Sequence, residues 1–136
     1  MKVAVAVITD EFNRILITRR SPNVSHGGFW EFPGGKLNKD ELAEDALVRE
    51  IKEEVGLDVL SYAYMGEVRY QYNDQDIELL IFHINKFSGN ASCKEEQLDL
   101  RWELIDNFYK FQFPAANIKI IELIKEARIL QVENIS

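Results

Sequence analysis

The chain has 136 residues, 46% of them hydrophobic and 29% charged, and a net charge of −7. This predicts one globular domain over 1–136, large enough to bury roughly two thirds of its unfolded surface. The acidic balance argues against a grip on polymeric DNA or RNA, which needs a basic face, but not against one small nucleotide arriving with a divalent cation. Cys93 is the single cysteine. No internal disulfide can form, and a reducing, cytoplasmic setting is expected. No histidine or activating motif adjoins Cys93, so it is not expected to act as a nucleophile. The opening MKVAVAVITDEFNR turns charged without a cleavage pattern, and no apolar run approaches the ~18–20 residues of a membrane span. Neither a secretory leader nor a membrane anchor is expected. No internal repeat, low-complexity tract or linker is visible.

In chain order, Val3 to Thr9 is β-branched and apolar and predicts a buried strand. Asp10 to Asn13 is a turn, and Arg14 to Arg19 returns as a second strand. Ser21 to Gly28 is a loop by composition, and WEFPGGK, Trp30 to Lys36, leads to the next helix. In that helix Ala43, Leu47, Ile51 and Val55 form the buried i, i+4 stripe. Asp40 is placed to cap it, Glu41 and Glu44 suit its positive N-terminal end, and Gly56 is placed to end it. Two strand-like runs follow, Val59 to Tyr72 and Ile77 to Phe87, with Asn73–Asp76 as the hairpin turn. Leu100 to Ile105 is a further short strand. Pro114 opens a second helix reaching about Leu130, and VENIS beyond it reads as a loose end. Strands, helix, strands, helix predicts an α/β class: a mixed sheet with a helix on each face, α/β/α.

The chemistry concentrates between Gly35 and Leu57. Glu50 lies three residues from Glu53 and four from Glu54, spacings that put the carboxylates on neighbouring positions of one helix face. Like charges so placed repel by roughly 0.2–0.5 kcal/mol per pair. Glu50 and Glu54 also flank the apolar stripe, where partly desolvated carboxylates need partners. Arg49 supplies one, and a hard divalent cation supplies the rest, Mg²⁺ being held by carboxylate oxygens and substrate phosphates. Such cations clamp phosphoryl oxygens and lower the pKa of bound water, which is what cleaving a phosphate anhydride requires. The Gly34-Gly35 turn lets backbone carbonyls approach a metal.

The spacing is more specific still. Gly35, five residues, Glu41, seven residues, Arg49-Glu50-Ile51, one residue, Glu53-Glu54, one residue, Gly56-Leu57 resembles the box of the Nudix hydrolases at every defining position. ITRR at Ile17–Arg20, EFPGGK at Glu31–Lys36 and FPAAN at Phe113–Asn117 extend the resemblance over most of the chain, towards the MutT-like branch that removes oxidised nucleotides. Ala115 stands where proline is common in that branch. The resemblance implies a Nudix fold and hydrolysis of 8-oxo-dGTP, or a related oxidised purine dNTP, to the monophosphate and pyrophosphate with Mg²⁺ or Mn²⁺. It implies Glu50, Glu53 and Glu54 as metal ligands, one of them acting as base, Arg49 orienting them by a bidentate pairing, Gly34 offering a carbonyl, and Glu41 in a structural pairing. A further ligand comes from KEEQ, Glu95 or Glu96, with Glu95 favoured.

The resemblance also maps phosphate contact to Arg19 or Arg20, the purine wall to Phe32 and base-edge reading to Asn117. An amide both donates and accepts, which suits a purine edge. Tyr72 can add an apolar wall, and Asp74 belongs to the hairpin at the pocket rim. His83, in an alternating strand, is expected to be structural, and His26 lies in a loop able to close over a ligand. Three rivals stand beside this reading: pyrophosphohydrolysis of CTP or methylated pyrimidine triphosphates, other nucleoside-diphosphate-X hydrolysis, and a non-catalytic binding module. The last is disfavoured because every box glutamate is present. The oligomeric state is not legible.

Overall fold

A computed structural model describes residues 1–127 and 129–130. The elements run β1 (Lys2–Ile8), β2 (Arg14–Arg19), β3 (Trp30–Glu31), β4 (Gly34–Lys36), α1 (Ala43–Val55), β5 (Asp58–Tyr72), β6 (Gln75–Ser88), β7 (Asp99–Leu104) and α2 (Ala115–Ala127). A 3₁₀ turn occupies Ile105–Lys110. The expected strands all form. The expected class stands, with one refinement: the strands divide into two sheets. A mixed four-stranded sheet has the order β4-β1-β6-β5, and an antiparallel three-stranded sheet has the order β3-β2-β7.

β1 organises both layers. It pairs parallel with β6, Val5 opposite Ile81, and antiparallel with β4, Ala4 opposite Gly35. Its side chains alternate between faces, as the two-residue period of a strand requires. Val5 and Val7 join Ile15, Ile17, Leu79, Ile81, Ile120 and Ile124 in a core under α2. Ala4, Ala6 and Ile8 join Leu16, Phe82, Ile84, Leu47, Ile51 and Val55 in a second core under α1. The small Ala4, Ala6 and Gly35 on that side let α1 settle close to the sheet.

Four expectations change in detail. The two-residue turn Asn73-Asp74, with φ of 51° and 61°, closes the β5–β6 hairpin, so β6 starts at Gln75 inside the expected turn. Asp40 does not cap α1: it sits in a left-handed turn at φ 63°, and Leu42 occupies the N-cap with no side-chain bond. The buried stripe is Ala46, Leu47, Ile51 and Val55, with Ala43 only part-buried at its edge. α2 ends at Ala127, and Ile129 and Leu130 pack on the core outside the helix; VENIS lies outside the described residues. Gly56 ends α1 as expected, at φ 75° with its N–H on the Lys52 carbonyl. Among the described residues no helix is long and apolar enough to cross a membrane.

Candidate active site

The site is built where α1 lies against β4. Ala6 donates to the Pro33 carbonyl and Leu37 to the Lys2 carbonyl. With the strand's two-residue period, those bonds put Gly34 in a non-hydrogen-bonded pair with Val5, its N–H and C=O directed away from β1. The Gly34 N–H donates to Glu54 Oε2 at 2.9 Å. A Cβ at Gly34 would overlap the Ala4 backbone, and one at Gly35 would overlap the Glu50 carboxyl group. Gly34 thus permits the close approach of β4 to β1, and Gly35 permits the Glu50 carboxyl group of α1 to sit this close to the strand.

Arg49 ties the acidic face together. Nε and Nη2 pair with the two oxygens of Glu41 at 2.9 and 2.8 Å, and Nη2 also donates to the Lys36 carbonyl. Nη1 reaches Glu50 at 2.8 Å and Glu53 at 3.2 Å. The expected bidentate pairing thus falls on Glu41, while Glu50 and Glu53 share the remaining nitrogen. Glu41 also accepts the Asn38 N–H, which commits its side chain to the loop. Arg49 and that N–H hold its carboxyl down to about 2.

Glu50, Glu53 and Glu95 converge, with one oxygen of each within 4.8 Å of the others. Glu96 is not part of this cluster. Burial pushes the Glu50 carboxyl up despite Arg49. Glu54 stands apart, turned to Gly34. Burial pushes it up to about 8, against the pull of the Gly34 N–H, with the negative charges of Glu31, Glu50 and Glu95 adding to the rise. Such a set of anions favours a cation, and a nearby cation returns Glu54 to its ionised form. The all-oxygen donor set fits a hard divalent metal.

The expected base-pocket residues form two groups. Asn117 Oδ1 accepts the Phe32 N–H at 3.3 Å, which joins the first two. The Phe32 ring is only 4% exposed and packs on Phe113 and Phe108, so it is enclosed by the core. Tyr72 meets the loop after β2, its hydroxyl 3.0 Å from Ser25 Oγ and its ring beside His26. Asp74 holds the exposed second position of the hairpin turn. Arg19 Nε donates to the Gly28 carbonyl, whereas Arg20 donates to the Ser25 carbonyl and to both oxygens of Glu31. His83, as expected, is structural: Nε2 lies 2.8 Å from the Thr9 hydroxyl. Cys93 is exposed.

Sequence reasoning missed Glu31 and Gln97. Glu31 is a carboxylate raised by burial against the pull of Arg20. Its one signal was a charged residue inside an otherwise aromatic segment. Gln97 hydrogen-bonds both the Glu95 N–H and the Glu54 carbonyl, and nothing in its residue type announced this.

The NUDIX domain family matches residues 4–123, and the chain belongs to that family. It is a hydrolase of the Nudix type, acting on phosphoric anhydride bonds, and such hydrolases generally use a divalent metal. An 8-oxo-dGTP diphosphatase of Escherichia coli K12 is 33% identical over 125 residues, covering 92% of this chain and 96% of the relative. A CTP pyrophosphohydrolase of the same organism is 30% identical over 118 residues, covering 87% of each. The solution structure of the Escherichia coli ORF135 protein superposes with a TM-score of 0.82 at 28% identity, covering 94% of this chain and 90% of that one. Homologues of this family act on small nucleotides.

Proposed function

We propose that the protein, acting as one domain, hydrolyses nucleoside triphosphates to the monophosphate and pyrophosphate, with 8-oxo-dGTP preferred and Mg²⁺ as its metal. In this reading it clears oxidised nucleotides from the cytoplasmic pool. The observation that carries the reading is the meeting of Glu50 and Glu53 of α1 with Glu95 from a loop 42 or more positions away, beside strand β4, where Gly35 leaves room for the Glu50 carboxyl group.

Glu50, Glu53 and Glu95 would hold Mg²⁺, with Glu54 and the outward Gly34 carbonyl completing the set. Bound there, the metal neutralises phosphoryl oxygens and acidifies water. The chain's own residues do the positioning. Arg49 fixes Glu50 and Glu53 through the Glu41 anchor. Arg19, whose guanidinium lies on the loop after β2, contacts the phosphates. Asn117 reads the base edge, since a polar site rejects a base that leaves its groups unpaired. Phe32 backs Asn117 from the core, and Tyr72 and Asp74 form the rim.

Purified protein with 8-oxo-dGTP and Mg²⁺ tests this. The expected products are 8-oxo-dGMP and pyrophosphate; orthophosphate alone, or no turnover, overturns it. The 30% identity to a CTP pyrophosphohydrolase supports a second reading with CTP as substrate. The same assay run as a panel of triphosphates decides between them by kcat/KM.

A further inference from the structure

We propose that Gln97 is a positioning residue that holds Glu95 in the acidic cluster. The proposal rests on the reading of Glu95 as a metal ligand. The last carbonyls of a helix lack intrahelical partners. In α1 those of Glu54 and Val55 are taken up by the loop that carries Glu95. Ser92 N–H donates to the Val55 carbonyl at 3.0 Å and Lys94 N–H to the Glu54 carbonyl at 2.9 Å. Gln97 adds a two-way link: Nε2 donates to the Glu54 carbonyl at 3.1 Å, and Oε1 accepts the Glu95 N–H at 3.0 Å.

This geometry answers a specific problem. Glu95 is exposed, sits on a loop, and is brought within 4.8 Å of two other carboxylates that repel it. Without a cation present, the electrostatics push it outwards. The Gln97 amide fastens the Glu95 backbone to the helix that carries Glu50 and Glu53, so the loop keeps its place before a cation arrives. Only a side chain with both a donor and an acceptor can make both bonds. Glutamate of the same length keeps an acceptor and loses the donor, and methionine loses both.

The test is a double-mutant cycle on Mn²⁺ affinity, read by electron paramagnetic resonance, with Gln97→Met, Glu95→Gln and the pair. Amide exchange at residue 95 is followed by NMR in metal-free protein. Residues that orient a ligand typically contribute about 10–100-fold in metal affinity. The expected result is a loss of about 10-fold in Gln97→Met, no further loss when Glu95→Gln is already present, and faster exchange of the Glu95 amide without metal. Gln97→Glu, which keeps the acceptor, should fall between wild type and Gln97→Met in exchange, and it serves if the methionine variant folds poorly. Wild-type affinity in Gln97→Met while Glu95→Gln is weakened overturns the clamp alone. So does an equal loss in both backgrounds. Wild-type affinity in Glu95→Gln removes Glu95 from the metal site, and the clamp falls with it.

Discussion

Glu54 is fastened to Gly34: its carboxylate accepts the glycine N–H at 2.9 Å, and burial raises its pKa to about 8. Glutamine at this position keeps an acceptor for that N–H but cannot take on the charge that a nearby cation would restore to Glu54. Glu54→Gln should therefore fold normally by circular dichroism while kcat for pyrophosphate release falls by roughly 10²–10⁴-fold. Near-normal turnover would take Glu54 out of the chemistry.

Gly35 is required by space, because an added Cβ would land on the Glu50 carboxyl group. Gly35→Ala should displace Glu50 and weaken Mn²⁺ binding by about 10–100-fold, measured by titration, with the fold retained. Gly34→Ala should be harsher, since there the obstacle is the Ala4 backbone, and thermal unfolding should reveal a loss of stability.

The Glu41–Arg49 pair predicts a pH dependence of stability. The folded Glu41 carboxyl is held at about 2, below its ordinary value of 4.5. Its contribution is therefore complete above pH 4.5 and is lost as pH falls towards 2. Lysine cannot reproduce the two-point pairing of arginine. In Arg49→Lys the Glu41 titration, followed by NMR, should move up towards 4.5, and acid unfolding should begin at higher pH. A titration that stays near 2 would mean that Arg49 is not the cause.

Asn117 is the residue on which base preference is proposed to turn. Asn117→Ala should lower kcat/KM for 8-oxo-dGTP by the equivalent of roughly 1–3 kcal/mol, the cost of leaving a polar partner unpaired. Mn²⁺ affinity should be unchanged, because the side chain bonds to the Phe32 backbone and not to the acidic cluster. Equal losses across all triphosphates would remove Asn117 from base recognition.

Ile51 lies on the apolar stripe that Glu50 and Glu54 flank, fully buried against the sheet. Ile51→Ala should cost about 2–5 kcal/mol of unfolding free energy in urea. Residual activity per folded molecule should exceed that of Glu54→Gln.

The acidic helix was legible because its meaning is local: three- and four-residue spacings set a face, and Gly56 sets its C-terminal end. Pairing between distant segments was not. β1 and β2 read as a hairpin, and the turn between them does form, with Asp10 accepting the Phe12 and Arg14 N–H groups. Yet only Thr9 and Ile15 bridge the two strands before each joins a different sheet. Asp40 has the chemistry of a cap, but the chain enters the helix two residues later because Glu41 is turned back to Asn38 and Arg49. Residue type could not tell whether Phe32 walls a pocket or fills a core. Nor could it find Glu31, whose partner Arg20 is 11 positions away.

The parallel pairing of β1 with β6 also governs how the molecule assembles. Thr9 meets His83 across 74 residues of chain, and every register position between the two strands closes a loop of similar size. Non-local closure of this kind slows folding relative to helical domains of equal stability. α1 can form its turns early, but the floor it rests on exists only once β6 has found β1. Glu50 and Glu53 are thus neighbours by the turn of one helix, whereas Glu95, carried on the segment after β6, reaches them only through that long closure.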